Sequence, residues 1–302
     1  MIKFSENKIL YSKNNPNNEI FYKIKRYLLE KILLKMNQEN GSKYKQLVVY
    51  SFDYISTSIS LDGLYEKDDL HLFIDWLKSL NNKDIFEGCV LDIGANIGNH
   101  SVFFSEYYKE IESYEPNPKT FQILKINSEI VNNIKCYQYG LSNIIKEVKF
   151  KINSRNVGGS QIDNSFNFNS INIQLKTIDS LYINNHKKIK LIKVDVEGHE
   201  YEVLKGAEIT IKENMPIIIF EQHDIDFINE KSKVIELLKS YGYIKFASIE
   251  KVPYLIDKYP KFIKLIYNVI FRLINGTSKK IILQNSFDRK FYPFIIAIPN
   301  SL

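Results

Sequence analysis

Val90-Leu91-Asp92-Ile93-Gly94-Ala95-Asn96-Ile97-Gly98-Asn99-His100 is the stretch on which the reading of the fold turns. It begins as an apolar strand, meets an acidic residue and passes through a run of small residues. It then opens into Ser101-Val102-Phe103-Phe104, the start of an apolar helix face. Backbone approaches a ligand closely only where side chains are missing, which Gly94, Ala95 and Gly98 provide. In open parallel sheets nucleotide-like ligands bind just beyond the carboxyl ends of the strands, where this turn would lie.

A second apolar run, residues 111–114, ends in Glu115-Pro116-Asn117-Pro118, and Glu115 follows Gly94 by 21 residues. That is close to the spacing of roughly 20 at which an acidic side chain takes a pair of ribose hydroxyls. A pyrophosphate fingerprint starting at Gly94 would place glycine at 96 and 99, and both are asparagine. A ligand with a ribose and no phosphates fits better, which favours S-adenosylmethionine (SAM) over a dinucleotide. The candidate cofactor contacts are Asp92, Gly94, Asn96, Gly98, His100 and Glu115. Ser142, after the third strand, is placed near adenine, and Asp195 completes the set.

Working outward, strand and helix patterns alternate, which argues for a parallel α/β sheet. Strands are expected near residues 89–92, 111–114, 134–139, 189–194, 216–221 and 244–247, with an antiparallel closing strand at 291–298. Helices are expected at 98–108, 119–131, 201–212 and 231–241. Within 141–177 the rhythm breaks into a hairpin, 148–152 with 171–175. Its long polar loop holds Arg155 and Gly158-Gly159-Ser160 and reads as an acceptor lid. Residues 1–85 read as a capping extension with helices at 19–36 and 68–80 and a hairpin at 45–60. The remainder, 86–302, carries a basic helical insertion at 251–288.

That insertion holds nine basic residues against two acidic ones between 251 and 290, an excess larger than the net +6 of the whole chain. Residues 261–274 put Lys261, Lys264, Asn268 and Arg272 on one stripe of an otherwise apolar helix. The preferred reading is a docked helix with a solvated stripe, and peripheral membrane association is the second. No recognition motif accompanies the charge, so nucleic acid is not an expected partner. The 302 residues are 44% hydrophobic, ample for a core. Two cysteines form no disulfide framework, and residues 1–7 lack a signal-peptide core. A cytoplasmic location is therefore expected, at the inner face of the membrane if the insertion binds lipid.

Three blocks, Asp92-Ile-Gly-Ala-Asn-Ile-Gly98, Glu115-Pro-Asn-Pro118 and Lys193-Val-Asp-Val-Glu-Gly-His-Glu200, resemble the signatures of FkbM-type SAM-dependent methyltransferases. The likeness covers about residues 85–225. Its third block, followed by Val203-Leu204-Lys205-Gly206-Ala207, is the most specific part. The resemblance implies a class I, Rossmann-like methyltransferase fold with a seven-stranded, mostly parallel sheet and an antiparallel last strand. It also implies methyl transfer, usually to a hydroxyl of a sugar or natural product, with S-adenosylhomocysteine as product.

Methyl transfer from a sulfonium is an in-line displacement, and a hydroxyl acceptor needs a base. His199 is the expected base, since an imidazole titrates near operating pH. Asp195 would orient it or hold the acceptor hydroxyl. Glu200 reads as favourable first-turn charge on the next helix. Glu221 and His223, after the apolar run 216–220, complete the catalytic candidates, and Glu197, Arg155 and Ser160 are candidate acceptor contacts. Asp195, Glu221 and His223 together offer ligands for Mg²⁺ or Mn²⁺. Their spacing defines no metal motif, so the metal-free reading is preferred. N-methylation of an amine, and a non-catalytic SAM-fold module that binds a partner, are the alternatives.

Overall fold

The computed structural model of the chain describes residues 16–51, 53–151, 161–162, 170–185, 187–252 and 278–302. Three helices precede the sheet: α1 (Pro16–Asn40), α2 (Tyr54–Asp62) and α3 (Lys67–Ser79). In α3 the apolar residues Leu70, Phe73, Ile74 and Leu77 recur at helical spacing and are fully buried. Each contributes about 1.5–3 kcal/mol by leaving water. They pack on Val90, Phe104, Leu191 and Phe294, so α3 covers one face of the sheet. Helix α1, by contrast, leaves Phe21, Ile24, Tyr27 and Leu28 exposed.

The hairpin expected at 45–60 is a helix and an irregular segment. Asp53 caps α2 by accepting from the Ser56 amide, and the Thr57 and Ser60 hydroxyls bond back into the helix. Residues 45–50 have no strand partner because a side chain takes that place. Asn127 accepts from the Val48 amide at 2.7 Å and donates to the Val48 carbonyl at 3.0 Å.

The first half of the sheet follows as β1 (Cys89–Ile93), α4 (Asn99–Phe104), β2 (Glu110–Tyr114), α5 (Pro118–Ser128) and β3 (Ile134–Tyr137). The chain then makes a small four-stranded sheet from β4 (Gly140–Leu141), β5 (Lys146–Lys151), β6 (Gln161–Ile162) and β7 (Ser170–Lys176), in the order β4-β7-β5-β6. Next come α6 (Ile178–Tyr182), β8 (Ile189–Val194), α7 (Glu200–Lys205), α8 (Glu208–Asn214) and β9 (Ile217–Gln222). A two-stranded ribbon, β10 (Phe227–Ile228) with β11 (Lys231–Ser232), leads into α9 (Lys233–Ser240). Strands β12 (Lys245–Val252), β13 (Ser278–Gln284) and β14 (Tyr292–Ile298) end the chain's described elements.

The main sheet runs β13-β12-β14-β9-β8-β1-β2-β3, with β14 antiparallel between β9 and β12. The antiparallel last strand is present, but the described sheet has eight strands where seven were expected. The additional one is β13, which pairs with β12 from Phe246 to Val252 and turns the end of the basic segment into an edge strand. The helix expected at 261–274 lies outside the described residues, as do Arg155 and Ser160. Continuous apolar runs arise because both faces are covered. In β9, Ile218 and Phe220 face α7, α8 and α9, whereas Ile217 and Ile219 face α3. The helix expected over 201–212 breaks at Gly206-Ala207 into α7 and α8. A Cβ on Gly206 would lie 2.0 Å from the Ser142 carbonyl, so the break is where two backbones touch. No helix among the described residues is long and apolar enough to cross a membrane.

Strand order reverses between β1 and β8, which marks the crevice at their carboxyl ends as the ligand site. The register there sets Asp92 beside Ser113 on one side and Lys193 on the other.

Candidate active site

At the end of β1 the amides of Gly94 and Ala95 both donate to the Tyr114 carbonyl at 3.0 Å, which folds the turn back over β2. Gly94 has φ +74°, and a Cβ there would stand 1.8 Å from the Asp195 carbonyl oxygen. Only glycine satisfies both conditions. Asn96, at φ +49°, turns its amide onto Glu115 Oε2 at 3.1 Å. The Asn117 amide donates to the other oxygen, Oε1, at 2.8 Å. Glu115 is buried at the cavity wall, and burial pushes its carboxyl up to about 7 against the pull of those two amides and Lys193.

Asp92 is placed behind this wall and does not line the cavity. It is 0% exposed, accepts from Ser101 Oγ at 2.5 Å and pairs with Lys193 Nζ at 3.3 Å. Lys193 is the residue the sequence reading passed over. Its Nζ donates to the Gly94 carbonyl at 3.1 Å and pairs with Asp195 Oδ2 at 3.3 Å. Burial opposes its charge, but Asp195 and Asp92 prevail and hold the ammonium above its ordinary range. The available signal was a lysine in the middle of a buried strand, where an ion is kept only if paired. Gly98, at φ +90°, stands at the start of α4 against Leu124 and does not line the cavity.

The main cavity is bounded by the Gly94–Asn96 turn and Glu115 on one side and by Asp195, Glu197 and Glu221 on another. Glu221 Oε2 lies 2.9 Å from His223 Nε2. Burial comes first in pushing the Glu221 carboxyl up to about 9, reinforced by Asp195, Glu197, Glu200 and Glu66. Burial and Asp195 also raise Glu197. Glu200 accepts from the amides of Val196 and Gly198, tying down its own turn, and burial pushes it up to about 7.

Two further wall residues come from the N-terminal extension, Tyr65 and Glu66, and sequence spacing carried no signal for them. Glu66 has φ +56° and sets Oε2 3.0 Å from His100 Nε2. His100 thus lines the cavity on the side of α4. A groove lined by Tyr54, Lys279, Lys290 and Phe291 meets the cavity at Tyr65, Glu66 and Pro293.

His199 does not join this wall. Its Nε2 is 2.9 Å from Ser142 Oγ, and it borders a smaller apolar chamber with Gly140, Leu141, Phe150 and Leu175. Burial lowers its imidazole, opposed by Glu202. It turns away because it follows Gly198 at φ +92° and starts α7, which points it towards β4. The structure therefore separates His199 from Asp195, Glu221 and His223, and brings it to Ser142. The two chambers share Gly94, Pro116, Phe150 and Val196, so they form one continuous site.

The family model described as "Methyltransferase FkbM domain" matches residues 92–245. The chain is 29% identical over 166 residues to the hexuronic acid methyltransferase AglP of Haloferax volcanii, covering 54% of this chain and 68% of that protein. It is 25% identical over 181 residues to Methyltransferase 1 of Beauveria bassiana, covering 51% and 71%. Among solved structures, an FkbM methyltransferase from Methylobacillus flagellatus KT aligns at 17% identity and a TM-score of 0.37. That alignment covers 70% of this chain and about half, 51%, of the other.

Proposed function

The chain belongs to the FkbM methyltransferase family and is a SAM-dependent methyltransferase, and we propose that its acceptor is a hydroxyl of a sugar or sugar-bearing natural product. The observation that carries this reading is the continuous site with unlike ends. One end has an apolar chamber and a carboxylate, Glu115, held by two amides. The other is a wall of carboxylates, Asp195, Glu197 and Glu221. Adenine occupies the apolar chamber beside His199, Glu115 receives the ribose hydroxyls, and the methionine part crosses the Gly94–Asn96 turn.

The acceptor then enters along the groove at Tyr65 and Pro293 and meets the methyl group at the acidic wall. Methyl transfer moves positive charge from sulfur to the acceptor oxygen, so fixed carboxylates on the acceptor side lower the barrier. The sulfur–carbon bond breaks as the carbon–oxygen bond forms, and the hydroxyl proton goes to Asp195. His223 and Glu221 position the acceptor oxygen. His199, in the other chamber, contributes to cofactor binding. The similarity to AglP supports a glycan acceptor.

The test is S-adenosylhomocysteine release from SAM across nucleotide sugars, free glycans and amines, with the product methyl located by NMR. A methyl ether on a sugar is expected. Methylation confined to amines would overturn the hydroxyl assignment.

A further inference from the structure

We propose that Glu197, Glu221 and His223 form a divalent-cation site, of Mg²⁺ or Mn²⁺ type, that binds the acceptor hydroxyl. The inference rests on the reading of this wall as the acceptor end of the site. One ligand atom from each of the three side chains lies within 4.8 Å of the other two. That is a distance a single ion can bridge with small side-chain movements. Two carboxylates and an imidazole suit a hard or borderline divalent ion.

Charge balance points the same way. Asp195, Glu197, Glu200 and Glu66 all act on the Glu221 carboxylate. Lys193 is the only lysine or arginine lining it among the described residues, and its charge is engaged by Asp92 and Asp195. Asp195, which donor chemistry alone had offered as a ligand beside Glu221 and His223, is paired with Lys193 instead, and Glu197 takes its place. A second observation concerns Glu200, which is 1% exposed on the same turn as Glu197. Its Oε2 has no hydrogen-bond partner among the described residues, and its charge acts on Glu221. Buried carboxylate oxygens without a donor are costly unless positive charge stands nearby.

The chemistry gains from such an ion. A sugar hydroxyl is a weak acid and gives up its proton reluctantly. A cation that takes the hydroxyl as a further ligand acidifies it and aligns a lone pair with the methyl. Asp195, outside the ligand set, accepts the proton, the sulfonium becomes a neutral thioether, and the cation is unchanged.

Mn²⁺ binding is measured by electron paramagnetic resonance on protein treated with chelator and dialysed, with no acceptor present. An incorrect acceptor class therefore cannot affect the result. One saturable Mn²⁺ per wild-type chain is expected, displaced by Mg²⁺. Glu197→Gln and His223→Ala should each weaken it at least roughly tenfold, while Asp195→Asn retains it. SAM binding by each variant, followed calorimetrically, reports that the fold is intact. A free aqueous Mn²⁺ signal that persists at every wild-type concentration would overturn the proposal. Equal binding by wild type and both ligand variants would do the same.

Discussion

Glu115, which is buried, and Glu221, which is half-buried, both stand at the ends of parallel strands in one cavity, yet they live under opposite conditions. Glu115 is held by two amides from the turns on either side of it, Asn96 and Asn117. Glu221 feels the charge of four other carboxylates and touches one imidazole, His223. The end proposed for the cofactor is thus organised by backbone and is complete within the protein. At the end proposed for the acceptor, side chains from β8, β9 and the N-terminal extension meet with excess like charge, which the proposed cation would relieve. Preorganised backbone suits a cofactor common to every turnover.

The most severe way to break this contrast is Gly94→Ala. The added Cβ collides with the Asp195 backbone at a positive φ, so both ends are disturbed together. A stability loss of about 3 kcal/mol or more is expected in denaturant unfolding, with SAM binding abolished. Asp195→Asn acts at the acceptor end alone. It should lower kcat by about 10²–10⁴ while leaving the SAM Kd near wild type, measured by single-turnover kinetics and calorimetry. A matching loss of SAM affinity would place Asp195 at the cofactor end.

Glu115→Gln is the complementary break. It should weaken SAM by about 10–100-fold, with the acceptor KM little changed. The same variant sharpens the pH dependence. The Glu115 carboxyl titrates at about 7 in the folded chain against 4.5 for the free group, so the folded state holds the proton more tightly. Its contribution to stability is therefore complete below about 4.5 and is lost as pH rises through about 7. The fall in Tm of the SAM-free protein across that window should be shallower in Glu115→Gln. The smallest effect is expected from His199→Ala, a few-fold in SAM affinity, or about 1 kcal/mol, with kcat close to wild type. A kcat loss as large as that of Asp195→Asn would return the base to His199.

Most of the sheet was legible because its strands are short apolar runs separated by turn residues, and β8 matches its expected bounds, 189–194. The hairpin at 45–60 failed for a specific reason. Aromatic and β-branched residues suggested strands, but the Asp53 cap and the Asn127 amide satisfied the backbone in another way. Glu66 was invisible because nothing local distinguishes a carboxylate at a helix start from one that reaches His100, 34 residues along the chain. The separation of His199 from Asp195 was not legible because four polar residues in one turn, 195–200, cannot be sorted onto two chambers without knowing the turn's backbone angles.

What the sequence by itself determined lies within a few residues of backbone. It comprises the close turn at Gly94, the acidic residue that ends β2, and the strand–helix alternation that builds the sheet. Each follows from sterics or from hydrophobic periodicity that is already present locally. Only the tertiary structure decided that Lys193 joins Asp92 to Asp195, that His199 faces Ser142, and that Glu197 meets Glu221 and His223. Those pairings depend on strand register and on the positive φ values of Glu197 and Gly198. A shift of one residue in either would send each side chain to another partner.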